Sequence, residues 1–173
     1  MGTRLGIKCA CRLEGVGTGV GMNFPHIYKE TISKIKAGEC GQLLAAFANS
    51  TDYVTVDAEL AAYFCEKCGH ISSEKRLDLY KPRDIEKAKK TVVGRWTVAD
   101  SEQEQTVGDL GFFPYWVKPN PIFDKDDDFE LIHKHEHACP ECGSAMIEFN
   151  EDSHLKCPRC NKELVVTAVG NFD

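Results

Sequence analysis

Nine cysteines stand at positions 9, 11, 40, 65, 68, 139, 142, 157 and 160, and eight of them fall in closely spaced pairs. Cys139-Pro-Glu-Cys142 and Cys157-Pro-Arg-Cys160 are Cys-x-x-Cys turns separated by fourteen residues. A turn of this kind aims two thiolates at one point, while its own N–H groups offset the sulfur charge. Two such turns side by side make a tetrahedral S₄ cage, which zinc accepts without ligand-field preference. The spacing is close to that of a zinc ribbon. Cys139, Cys142, Cys157 and Cys160 are therefore expected to close one metal site at the C-terminus. So short a segment has little core of its own, and a bound ion would supply folding energy.

Cys65-Glu-Lys-Cys68 is a third turn and needs two further ligands. Cys9 and Cys11 are the expected partners, because on a strand both thiols would leave the same face. His70 or His26 is an alternative source of one ligand. Cys40 follows the end of an expected helix and reads as a buried structural cysteine.

Other constellations carry less. The run GVGTGVG over 15–21 misses the dinucleotide-binding register and lacks the Lys-Ser/Thr ending of a phosphate loop. It reads as a loop whose backbone packs close to another element. His133, His135 and His137 alternate along an expected strand, and a pair on one face can hold catalytic zinc when a third ligand arrives from elsewhere. No Glu-containing base motif accompanies them, so a solvated polar face is the expectation. Asp124, Asp126 and Asp128 suggest a calcium loop, but Phe129 stands where the turn glycine belongs, and His135 replaces the closing Glu. The aromatic run Phe112, Phe113, Tyr115 and Trp116 reads as core or interface. No Ser/His/Asp or Cys/His nucleophile can be picked out, so catalysis is not expected.

The chain that carries these residues has 173 of them, is 42% hydrophobic and 28% charged, and has a formal charge of −6. These are globular proportions, long enough for one ordinary domain or two small ones. The overall acidity weakens the case for nonspecific nucleic-acid binding. Lys81, Arg83, Lys87, Lys89, Lys90 and Arg95 form the one basic exception. No run approaches the roughly 20 apolar residues of a membrane helix, and the N-terminus carries no signal-like apolar stretch. A cytoplasmic location without membrane contact is expected.

Period and punctuation place the elements. Leu5, Ile7, Cys9 and Cys11 alternate as a strand, and a helix is expected from about Phe24, with Pro25 in its first turn and Gly38 at its stop. A second short helix is expected over 42–48. Strands are expected on either side of Cys65 and Cys68, over Phe129–His137, and in the arms AMIEF and ELVVTAV. Residues 85–90 suit one or two helical turns. The expected fold class is α+β, with small β-rich zinc-ribbon units and one or two helices near the N-terminus. Its divisions are an N-terminal unit over 1–83, a linker over 84–128 and a C-terminal ribbon over 129–173.

The order of GVGMNFPHIYKETISKIKAGECG, YFCEKCG, LDLYKPR, ACPECGSAM and LKCPRC resembles a family of small, functionally uncharacterised bacterial proteins with paired zinc-ribbon sites. The resemblance covers most of the chain and is loose from about 84 to 130. That family usually has Cys-x-x-Cys-Gly as its first knuckle, where this chain has Cys9-Ala-Cys11-Arg12. The resemblance implies two structural metals per chain and no established activity. The leading expectation is a zinc-stabilised module that binds a protein partner without catalysis. A rubredoxin-like iron protein for electron transfer is the alternative, a nucleic-acid-binding ribbon a further one, and an enzyme using the histidine row the last.

Overall fold

The computed structural model describes residues 2–20, 25–50, 53–90, 92–98, 101–106 and 129–172. Its elements in chain order are β1 (Gly2–Lys8), β2 (Glu14–Val20), α1 (Pro25–Lys36), α2 (Gln42–Asn49), β3 (Thr55–Val56), β4 (Leu60–Phe64) and β5 (Ile71–Lys75). There follow β6 (Leu79–Pro82), α3 (Ile85–Lys89), β7 (Val92–Val98), β8 (Ser101–Thr106), β9 (Phe129–His133), β10 (Ile147–Phe149) and β11 (Val165–Phe172). Among the described residues the fold is β-rich with few helices, and its three antiparallel sheets fit the α+β class. The expected aromatic run at 112–116 and the acidic triplet at 124, 126 and 128 lie outside the described residues.

The chain divides into two compact units, and neither is continuous in sequence. The first combines Met1–Met22, Glu59–Arg76 and Glu136–Asp173, and the second combines Asn23–Ala58 and Leu77–His135. This differs from the chain-order divisions at 83/84 and 128/129. The difference comes from strand pairing. The arms AMIEF and ELVVTAV do not pair with each other: β10 joins β4, and β11 joins β1.

The first unit is a sheet ordered β10-β4-β2-β1-β11, with β5 added to β4. Its core holds Leu5, Ile7, Leu13, Ala62, Phe64, Phe149, Leu155, Cys157 and Leu164. The expected glycine-rich loop is in fact strand β2. Gly17 is needed on the core side, since a Cβ there would lie 2.8 Å from that of Ala62, while one at Gly15 would meet the tip of the Ile71 side chain at 2.4 Å. The close approach that the sequence suggested is there, in a strand rather than a loop. Arg76 ties the rear of this sheet together, donating to Glu59 at 2.9 Å and to Glu148 at 2.7 Å.

The second unit packs Ile32 and Ile35 of α1 and Leu44 and Ala48 of α2 against Val54, Val56, Ala58 and Leu79. Cys40 is half-buried against this core. Gly38 takes φ 85° just past the end of α1, the left-handed turn that ends helices. Asp84 caps α3 by accepting the Lys87 amide at 2.9 Å. The expected linker holds α3 and the hairpin of β7 with β8 among its described residues. Strand β9 pairs with β6 in this unit, so residues 129–135 do not belong to the unit that holds Cys139. No helix among the described residues is long and apolar enough to cross a membrane.

Candidate metal centres

Each closely spaced cysteine pair sits in a turn built the same way. In three turns the first cysteine donates its amide five residues on: Cys65 to His70 at 2.9 Å, Cys139 to Ser144 at 2.8 Å and Cys157 to Lys162 at 2.8 Å. The residue after the second cysteine donates back to the first, Gly69, Gly143 and Asn161 each at 2.8 Å. Closing that ring needs a left-handed residue, and these three take φ 81°, 69° and 56°. Glycine and asparagine adopt this conformation at least cost.

Cys9-Ala-Cys11 closes the same ring with one residue fewer. Cys9 donates to Leu13 at 2.8 Å, Arg12 donates back to Cys9 at 3.0 Å, and Arg12 takes φ 69°. These residues form a turn and not the end of a strand, because β1 stops at Lys8. Arg12 therefore holds a conformation that costs a side-chain-bearing residue roughly 1–2 kcal/mol. Arg12→Gly is expected to raise stability by about 1 kcal/mol after glycine's own entropy cost, and a melting curve at unchanged metal content checks it.

The turns converge in two groups of four thiols. Cys9, Cys11, Cys157 and Cys160 form one, and Cys65, Cys68, Cys139 and Cys142 form the other, with all sulfurs of a group within 4.8 Å of one another. Cys9 and Cys160 are 3.4 Å apart, as are Cys11 and Cys157. In the second group, Cys65 to Cys142 and Cys68 to Cys139 are each 3.5 Å. These separations are far beyond a disulfide bond, and every cysteine is free. A zinc–sulfur bond of about 2.3 Å implies a tetrahedral edge near 3.8 Å, so both groups fit one ion each with a slight expansion.

All eight expected ligands are thus gathered, but in a different partition. Cys139 and Cys142 meet Cys65 and Cys68, not Cys157 and Cys160, and Cys9 and Cys11 meet the last turn of the chain. The reason is the strand pairing. β1 leads into Cys9, β4 leads into Cys65, and the strand after each later turn pairs with the strand that leads into its partner turn. Each group is a small ribbon on the same plan, a hairpin tip facing a distant turn. The two ribbons are nested, one within the sequence span of the other.

The sulfurs are not electrostatically equal. Hydrogen bonds from the amide and side chain of Ser144 draw the Cys142 thiol down to about 6. Burial opposes ionisation of Cys157, but the amides of Arg159 and Cys160 and the thiols of Cys11 and Cys9 bring it to about 6. The His70 amide works to lower Cys68, yet desolvation and its three neighbouring thiols hold it up at about 12. The Leu13 amide likewise fails to offset Cys157, desolvation and Cys9 at Cys11, whose thiol is raised. A dication must displace the protons held on Cys68 and Cys11, so affinity falls as the pH falls. Below about 6, Cys142 and Cys157 are protonated as well, and each site gives up one more proton per ion. Metal release measured against a chromophoric chelator is expected to steepen there.

The histidine row does not converge. His133 stacks on Phe47 with ring centroids 4.5 Å apart, and the His135 amide donates to Asp78 at 2.8 Å. His137 lies in the other unit, its ring 4.2 Å from that of Tyr63 and its Nε2 3.2 Å from the Arg76 carbonyl. Neither His70 nor any other histidine joins a group of metal donors among the described residues, and both four-cysteine groups are complete without one. The side chain of His26 is not among those described. Ser144 and Leu13, which shape the turns, carry no motif of their own in the sequence, and Arg12 shows there only as a departure from Cys-x-x-Cys-Gly. The signal available was position, two residues after the cysteine for the first two and one residue after it for Arg12.

The chain matches no protein-family model, no curated protein and no solved structure. The two four-cysteine groups are consistent with paired zinc-ribbon-like sites.

Proposed function

We propose that this is a zinc-stabilised binding module, with one structural zinc ion in each four-cysteine group and a protein as its partner. The observation that carries this reading is the closure of both groups: four thiols converge in each, leaving no open position of the kind catalytic zinc keeps. The core of the first unit includes Cys157 itself, so metal binding and folding are one process there. Against a nucleic-acid partner stands the basic segment, where Lys81 pairs with Glu130 at 3.2 Å and Lys89 with Glu86 at 2.9 Å. Cations neutralised in this way are not a phosphate-binding stripe.

Elemental analysis beside a visible spectrum tests the metal, on protein made anaerobically with zinc and iron both supplied. Two zinc ions per chain are expected. Iron with a charge-transfer band would overturn the reading in favour of electron transfer.

A further inference from the structure

We propose that Cys68 is a peroxide-reactive ligand, whose oxidation opens the group of Cys65, Cys68, Cys139 and Cys142 while the other group stays closed. The inference rests on the zinc reading above. With an ion bound, all eight ligand sulfurs are thiolates, so access decides which of them reacts first. Cys65, Cys139 and Cys157 are buried, and Cys9, Cys11, Cys142 and Cys160 are half-buried. That leaves Cys68 as the one exposed ligand of the eight.

A cleft of about 480 Å³ opens on this residue, and Cys68 is the one cysteine that lines it. Glu14, His70, Glu141 and Arg159 give the cleft polar walls. A small hydrophilic oxidant enters such a space without the cost of leaving water for an apolar one. The second group has no ligand on this cleft.

The oxidant is hydrogen peroxide. The Cys68 sulfur attacks one peroxide oxygen, the O–O bond breaks, hydroxide leaves and a sulfenic acid remains. Cys139 is buried from solvent, yet its sulfur is 3.5 Å from that of Cys68. It displaces a second hydroxide from the sulfenic acid and closes an S–S bond. Two thiolates, one peroxide and two protons thus become one disulfide and two waters. Cys65 and Cys142 remain, two ligands where four closed the site.

Strand β4 explains why the opening stops there. One of its faces carries Ala61, Tyr63 and Cys65, packed with Cys139 and Met146. That cluster has only Ala61, Tyr63 and Met146 besides its ligands, too little to hold together without the ion. The opposite face carries Ala62 and Phe64, in the larger core that includes Cys157. The second group keeps that core and its own four thiols.

The test adds excess hydrogen peroxide to the metal-loaded full chain in air-free buffer. Zinc release is followed with a chromophoric chelator, and the thiols and disulfides of timed samples are mapped by mass spectrometry. One zinc ion per chain is expected in a first phase, at least about tenfold faster than the second. At its end Cys68 is joined to Cys139, while Cys9, Cys11, Cys157 and Cys160 are still reduced. Cys40 lies outside both groups, so the map tells its own oxidation apart. Zinc lost from both groups at one rate, or from the second group first, overturns the proposal. A first disulfide without Cys68, or no release at all, overturns it too. Zinc counted before peroxide is added separates the two readings. A chain that holds none defeats the zinc module, whereas two ions lost together defeat this proposal alone.

Discussion

Replacing Cys9 and Cys157 together by serine is expected to leave one tightly held metal per chain, whereas replacing Cys139 and Cys157 together leaves none. The first pair of changes falls in one four-cysteine group and spares the other. The second removes one thiol from each group. A structural zinc site is worth about 10–16 kcal/mol in apparent binding free energy, and a three-thiol remnant holds its ion far more weakly. A moderate competing chelator then strips both sites. The contiguous ribbon suggested by sequence spacing predicts the opposite for the second variant, since it puts Cys139 and Cys157 in one site. Counting metals in the two double variants therefore decides between nested and sequential pairing.

Stripping both metals from the wild-type chain is expected to unfold the first unit while the helical signal survives. Both four-cysteine groups lie in that unit, and α1, α2 and α3 all lie in the other. Without metal, the first unit retains a core of a few side chains, among them Leu5, Ile7, Phe64 and Phe149, which is too little to hold a sheet of this size. Hydrogen exchange should lose its protection in β1, β4 and β11, while the helical circular-dichroism band stays within a small fraction of its starting value. A simultaneous loss of both would mean that the second unit depends on the first. Zinc added back under reducing conditions should restore the protection.

What could be read from the sequence was chemistry that resides in short spans. Cys-x-x-Cys is visible because both ligands and the turn between them fall within four residues, and Gly69 and Gly143 mark the left-handed closure. The helices were legible too, since Ile32, Ile35, Leu44 and Ala48 keep a helical period and Gly38 ends the first. What stayed hidden was which turn meets which. That choice is made by β10 with β4 and β11 with β1, pairings across more than eighty residues that leave no local mark. The hairpin of β7 with β8 is silent in sequence for a different reason: SEQEQT has no β-branched residue before its final threonine. Strand β2 reads as a loop in sequence because glycines usually weaken strands, and the close approach of Ala62 to Gly17 shows only in the folded sheet.

The nesting of the two ribbons also sets a timetable for synthesis. Cys68 and Cys139 are 71 residues apart, and Cys11 and Cys157 are 146 apart. During translation the inner ribbon has all its ligands once Cys142 emerges, but Cys9 and Cys11 must wait for Cys160. At about 5–20 residues per second, they remain naked thiols for roughly ten seconds or more. Closing the inner ribbon first also shortens the effective loop that the outer one must close, by about half. That saves about 0.6 kcal/mol of chain entropy. The newborn chain therefore completes its four-cysteine groups in a fixed order, inner before outer, and is open to oxidation longest at Cys9 and Cys11.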